Sequence, residues 1–194
     1  MSTLAHELGH TMQSYYSNKT QPYATSGYPI FVAEVASTFN EALLIDYMLK
    51  KIKDDKVRLS LLGNYLEGIK GTVFRQTQFA EFELKIHDIA EKGESLTGDK
   101  LDEVYAEVTR KYYGHEKGIC IVDDEIKAEW SYIPHFYYNF YVFQYATSFT
   151  ASAALSEKVL AGDKQATKRY LDFISAGGSD YPNPLLKNAG VDMT

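Results

Sequence analysis

His6, Glu7 and His10 stand in the run His6-Glu7-Leu8-Gly9-His10, an H-E-x-x-H spacing. On a helix, side chains four residues apart lie on one face, so the two imidazoles can bind one metal ion together. Glu7 follows the first of them, and its carboxylate can reach a water held by that ion. Two neutral nitrogen ligands, an open coordination position and a base are what metal-assisted hydrolysis needs. Two unrelated histidines on one helix would give the same letters, so the rest of the chain has to decide.

A catalytic zinc site usually takes a third protein ligand. Glu34 is the first candidate, in Ile30-Phe31-Val32-Ala33-Glu34-Val35-Ala36-Ser37. A carboxylate in so apolar a stretch is costly unless it is paired or coordinating. A helical hairpin would lay this stretch beside the first helix. Glu41, two turns further on the same face, could hydrogen-bond a ligand imidazole from behind, or be an ordinary surface residue. Asp46 reads as structural. In the expected mechanism one Zn²⁺ per chain lowers the pKa of its water, and Glu7 takes the proton and passes it to the leaving amine.

The oxyanion then needs a further donor. The best source is the aromatic run from Trp130 to Tyr145. On a helix starting after Pro134, His135, Tyr138 and Tyr145 share a face, with Tyr141 close by. Polar-tipped rings in such a stripe suit a peptide cleft, although an aromatic core stripe would look alike. His87, on a charged helical run, and His115, in a loop, read as solvated.

The elements that must position these groups are helical. Helices are expected over 3–17, 30–53, 56–91 (broken near Gly63 or Gly68–Gly71), 99–112, 136–161 and 163–176, the last ending at Gly177-Gly178. Irregular connections are expected around 18–29 and 113–134, and residues 93–98 as a turn. The tail after Pro182 reads as a short cap or loose end. Strand-like alternation is nearly absent, so the class is all-α. Residues 1–194 read as a single helical catalytic subdomain.

The 194 residues are 45% hydrophobic and 24% charged, enough for one core. The formal net charge is −6, with no Lys/Arg run, which argues against nucleic acid as a partner. No apolar run of membrane-spanning length appears, so no membrane partner is expected. The single cysteine, Cys120, excludes an intrachain disulfide and agrees with a reducing compartment. It stands in a short apolar run with no activating neighbour, which argues against a nucleophile. Sixteen tyrosines and ten phenylalanines are unusually many, and they crowd the Trp130–Phe149 region.

Three blocks together carry a resemblance: Thr3-Leu4-Ala5-His6-Glu7-Leu8-Gly9-His10, then Phe31-Val32-Ala33-Glu34-Val35-Ala36-Ser37-Thr38-Phe39-Asn40-Glu41, then Ile133-Pro134-His135-Phe136-Tyr137-Tyr138-Asn139-Phe140-Tyr141. The sequence resembles the oligoendopeptidase F group of the thimet-oligopeptidase-like (M3) zinc metallopeptidases along essentially its whole length. The resemblance implies His6, His10 and Glu34 as zinc ligands and Glu7 as catalytic acid/base. It implies that His135 and nearby tyrosines bind substrate and stabilise the oxyanion. It also implies a cytoplasmic, mainly helical endopeptidase acting on short peptides within a deep channel. Members of the family are roughly three times longer, and only five residues precede His6, so the chain reads as a C-terminal catalytic fragment, truncated on the N-terminal side and at the C-terminal end. Metal binding without turnover is then the expectation for the isolated piece.

Two other functions stay open. One is a non-catalytic helical module, self-associating through apolar faces on 3–17 and 136–161 as a homo-oligomer. The other is a zinc hydrolase of another bond, such as an amide deacylase, which H-E-x-x-H alone permits.

Overall fold

The computed structural model describes residues 2–194. They are mainly helical, with no strand among the described residues. The all-α class is therefore borne out. The chain divides into two compact units, one built from the residues up to Ile69 together with Thr147–Thr194, the other from Lys70–Ala146.

In the first unit, α1 (Ser2–Thr20) lies along α3 (Ile30–Lys51), joined through a short turn of helix, α2 (Tyr23–Ser26). The buried face of α1 is Ala5, Gly9, Gln13 and Ser17, a small or polar residue every fourth position. That face lets two backbones approach closely. A methyl group on Gly9 would lie 2.5 Å from the Ala36 carbonyl oxygen and 2.6 Å from the Ser37 Cα. Asn40 Nδ2 donates to the Ala5 carbonyl at 2.6 Å and ties the pair further along. The core beneath is aliphatic and aromatic. Val32, Val35, Ala36 and Phe39 of α3 pack with Ala151 and Leu155 of α7 (Phe143–Leu160), with Phe173 and Ile174 of α8 (Lys164–Ser175), and with Leu185 and Leu186 of α9 (Pro182–Ala189). Burying each of the large side chains is worth about 1.5–3 kcal/mol. The Tyr170 ring of α8 stacks on Phe39 at 3.7 Å. Asp163 caps α8 by accepting from the Gln165 and Ala166 amides.

The tail, read as a short cap or a loose end, contains the short helix α9, whose Leu185, Leu186 and Ala189 are buried. Pro182 at its first turn and Gly190 at φ +98° beyond its end start and stop it. The helix expected over 56–91 is α4 (Asp55–Ile69), a π-helical turn at Lys70–Phe74, and α5 (Arg75–Glu91). The anticipated break near Gly68–Gly71 is thus a widened turn. No residue of α4 is buried.

In the second unit, α5 packs on α6 (Gly98–Tyr113). Thr97 caps the start of α6, and Gly114, in the left-handed conformation, ends it. Phe79 and Phe82 of α5, Val104 and Tyr105 of α6, and Ile133 and Val142 form the core, with Phe136 against both phenylalanines. The Tyr105 hydroxyl donates to Glu129, which also pairs with Arg75. The stretch expected to be irregular carries 3₁₀ segments at His115–Lys117 and Asp124–Tyr132. No helix of the described residues is long and apolar enough to cross a membrane.

Candidate metal centre

Helix α1 presents His6 and His10, four residues apart, on a half-buried face. Their rings meet edge to face with centroids 4.9 Å apart. Glu34 comes from the first turns of α3, and its Oε2 lies 3.2 Å from His6 Nε2 and 3.6 Å from His10 Nε2. One ligand atom from each of the three residues falls within 4.8 Å of the others, a group that could hold a metal ion. A tetrahedral Zn²⁺ with bonds of about 2.0–2.1 Å keeps neighbouring donors roughly 3.3 Å apart. Two nitrogens and a carboxylate oxygen at these separations suit such an ion.

The close approach of Gly9 to Ala36 makes these distances attainable. The contact lies between His6 and His10 on one helix and two residues from Glu34 on the other. Ser37 Oγ, one turn after Glu34, donates to Glu34 Oε2 at 2.8 Å and also bonds the Glu34 carbonyl at 3.0 Å. It therefore fixes the carboxylate that the imidazoles face. Sequence reasoning passed over Ser37, although its place three residues after Glu34 on a helix was the available signal. Glu41 Oε1 lies 3.6 Å from His6 Nδ1, the nitrogen facing away from Glu34. Behind His10, the Tyr28 hydroxyl reaches the His10 carbonyl at 3.5 Å and bonds Ser14 at 2.7 Å.

The electrostatics follow from this crowding. Hydrogen bonding to Glu34, and next to Glu41, holds the His6 imidazole up to about 10. The same bond to His6 holds Glu34 below the usual carboxylate range, against the opposing effect of burial. Positive charge is strongly favoured between these carboxylates. Glu7 is exposed, one position after His6.

In the second unit the rings of His135, Tyr138, Tyr141 and Tyr145 form one cluster. His135 is 6.3 Å from Tyr138, 5.5 Å from Tyr141 and 6.1 Å from Tyr145 between centroids. Tyr138 is 5.9 Å and Tyr145 5.6 Å from Tyr141. The Tyr145 hydroxyl donates to that of Tyr141 at 3.5 Å. The expected helical face does not make this cluster. Pro134–Tyr137 is one 3₁₀ turn, the chain then leaves helical geometry, and α7 begins only at Phe143. Asn139 and Phe140 cause the break, both with positive φ, at 49° and 55°.

His87, expected to be solvated, is half-buried, with its ring 4.3 Å from that of Phe140. His115 accepts from the Val122 amide through Nδ1 at 3.0 Å and so serves its loop.

The model of peptidase family M3 matches residues 1–194. The chain belongs to that family. It is 55% identical over 192 residues to the oligopeptidase PepF of Bacillus subtilis, covering 99% of this chain and 28% of that protein. It is 51% identical to the plasmid-borne oligoendopeptidase F of Lactococcus lactis subsp. cremoris, covering 98% of this chain and 31% of the relative. Among solved structures, that of oligoendopeptidase F from Enterococcus faecium superposes with a TM-score of 0.84 at 49% identity, over 99% of this chain and 34% of that one. The M3 chain described here thus spans about a third of the length of these relatives, and the resemblance drawn from the three motif blocks holds.

Proposed function

We propose that residues 1–194 are one catalytic subdomain, built of two compact units, of a cytoplasmic zinc-dependent endopeptidase acting on short oligopeptides. The observation that carries this reading is the convergence of His6 Nε2 and His10 Nε2 on Glu34 Oε2, beside the exposed Glu7. Its membership of a peptidase family supports peptide hydrolysis. Zn²⁺ held by His6, His10 and Glu34 would supply a Lewis acid for the scissile carbonyl and acidify water. Ser37 keeps the Glu34 carboxylate turned toward the imidazoles, and Glu41 orients His6 through Nδ1. Glu7 takes the proton of the attacking water at its carboxylate and returns it to the leaving amine. His135, Tyr138 and Tyr145 donate hydrogen bonds to the peptide as charge develops on its carbonyl oxygen, and Tyr141 binds substrate.

Elemental analysis of dialysed protein, with a His6→Ala control, is the direct test. About one zinc per chain, lost in the control, is expected. Folded wild-type protein without zinc would sink the reading for this chain. Glu7→Gln should keep the metal and abolish peptide cleavage wherever the wild type cleaves.

A second reading is favoured by exposed apolar side chains. Leu4, Leu8, Met12 and Tyr15 line one side of α1, and Leu59, Leu62 and Leu66 line α4. Stripes of this kind promote association. On this reading the chain is a self-associating helical module that retains only metal binding. Sedimentation analysis separates the two: a zinc-loaded oligomer without turnover supports the second, a monomer removes it.

A further inference from the structure

The backbone at Asn139 and Phe140 is strained. Two consecutive residues with side chains occupy the left-handed region, where a bulky one such as phenylalanine is an outlier. Such a conformation persists only where its surroundings over-determine it. Here the surroundings come from one face of α5. The Phe140 amide donates to Glu83 Oε1 at 2.6 Å. Four residues on, the His87 ring lies against the Phe140 ring, tilted by 32°. Glu83 is 1% exposed, and burial pushes its carboxyl above the usual range. A buried carboxylate with a backbone amide as its partner is an expensive way to fill a core position. Its place is explained if the amide it holds has to be there. The strained pair stands between Tyr138 and Tyr141, with His135 four residues before it, so its dihedrals decide whether those rings meet.

We infer that Glu83, assisted by His87, is a positioning residue that clamps the left-handed turn at Asn139–Phe140 and thereby assembles the His135–Tyr138–Tyr141–Tyr145 cluster. Its bearing on peptide hydrolysis rests on the function proposed above; the clamp itself does not. Glu83 touches neither substrate nor metal in this account. It acts through the Phe140 amide alone.

The test uses the 194-residue chain with NMR of the Phe140 amide and of the His135 and Tyr141 ring signals. Glu83→Leu removes the acceptor. Amide exchange at Phe140 should quicken by at least about tenfold, as expected for a lost hydrogen bond to a charged group, and the His135 and Tyr141 signals should shift. Glu83→Gln keeps an acceptor at the same place and should leave both near wild type. Adding Asn139→Gly to Glu83→Leu relieves one left-handed residue and should bring the ring signals part of the way back. A folded Glu83→Leu protein with unmoved ring signals would overturn the inference, as would a Glu83→Gln protein displaced as far as the leucine variant. If Glu83→Leu does not fold, His87→Ala removes only the ring against Phe140; shifted His135 and Tyr141 signals support the clamp and unmoved ones refute it. None of these readouts needs zinc or turnover, so a folded chain that binds no zinc breaks the peptidase reading and leaves the clamp standing.

Discussion

Gly9 and Ala36 hold the helix that carries His6 and His10 and the helix that carries Glu34 at a separation that leaves no room for a side chain at position 9. The atoms that a methyl group would meet are backbone, the Ala36 carbonyl oxygen at 2.5 Å and the Ser37 Cα at 2.6 Å, and backbone cannot rotate away. Gly9→Ala would gain about 0.8–1 kcal/mol of helix propensity. Overpacking typically costs about 1–3 kcal/mol, so the clash wins. The melting temperature should fall. Zinc affinity should fall with it, because the contact sits between His6, His10 and Glu34. Calorimetry and a competitive zinc titration check both. A variant more stable than wild type would show that the helices can part without loss.

Glu34 and Glu41 both face His6, from opposite ring nitrogens, and zinc titrations distinguish their roles. Removing an outer partner of a ligand typically costs 10–100-fold in metal affinity. Glu41→Gln should fall within about that range. Glu34→Ala removes the proposed third ligand atom and should cost more than about 100-fold. Equal losses, or the larger loss at Glu41, would reverse the assignment.

The candidate metal centre was legible because its geometry is local. His6, Glu7 and His10 share one helical turn, and Glu34 is conspicuous as a carboxylate inside an apolar run. Helical periodicity gave α3 and α6 nearly to their ends. The aromatic region was legible only in part. Tyr138-Asn139-Phe140-Tyr141 contains neither glycine nor proline, so nothing in it announces a break, and helical spacing predicted a face that does not exist. The same four rings still converge, through a left-handed turn whose partners lie far back in the chain on α5. His87 was misread for that reason, since the residue that covers it, Phe140, is not a sequence neighbour. Ser37 lay within reach of the same argument that found Glu34. Reading it required asking what holds a buried carboxylate still.

Glu83 makes a separate prediction for stability against pH. Burial, its main influence, raises its native pKa above about 4.5, although the Phe140 amide and His87 pull the other way. The native state then keeps the proton to higher pH than the unfolded chain. In that window it binds more protons, so Glu83 lowers stability as pH rises through and above about 4.5. Glu34, Glu81, Asp163 and Asp192 have lowered native pKa values and act with the opposite sign. The difference between wild type and Glu83→Gln isolates the one group. Denaturant melts from pH 4 to pH 8 (a range set by the ordinary carboxylate pKa of about 4) should show the variant gaining on wild type as pH rises. A constant difference would mean that Glu83 ionises normally in the fold.

The four clustered rings separate by kinetics. Tyr138→Phe and Tyr145→Phe keep the ring and remove only the hydroxyl. If those hydroxyls meet developing charge, kcat should fall more than KM rises, by up to the roughly 10²–10³-fold seen when an oxyanion donor is lost. Tyr141 lies between them, with its hydroxyl 3.5 Å from that of Tyr145. Read as a substrate-binding group, Tyr141→Phe should raise KM and leave kcat nearly unchanged. The Tyr138 ring is 61% exposed, so removing its hydroxyl should leave the melting temperature within error of wild type. Steady-state cleavage of a quenched fluorescent peptide, paired with melts, reads both quantities. If all three variants lose stability and none changes kcat or KM, the cluster is an aromatic core and the transition-state donors lie elsewhere.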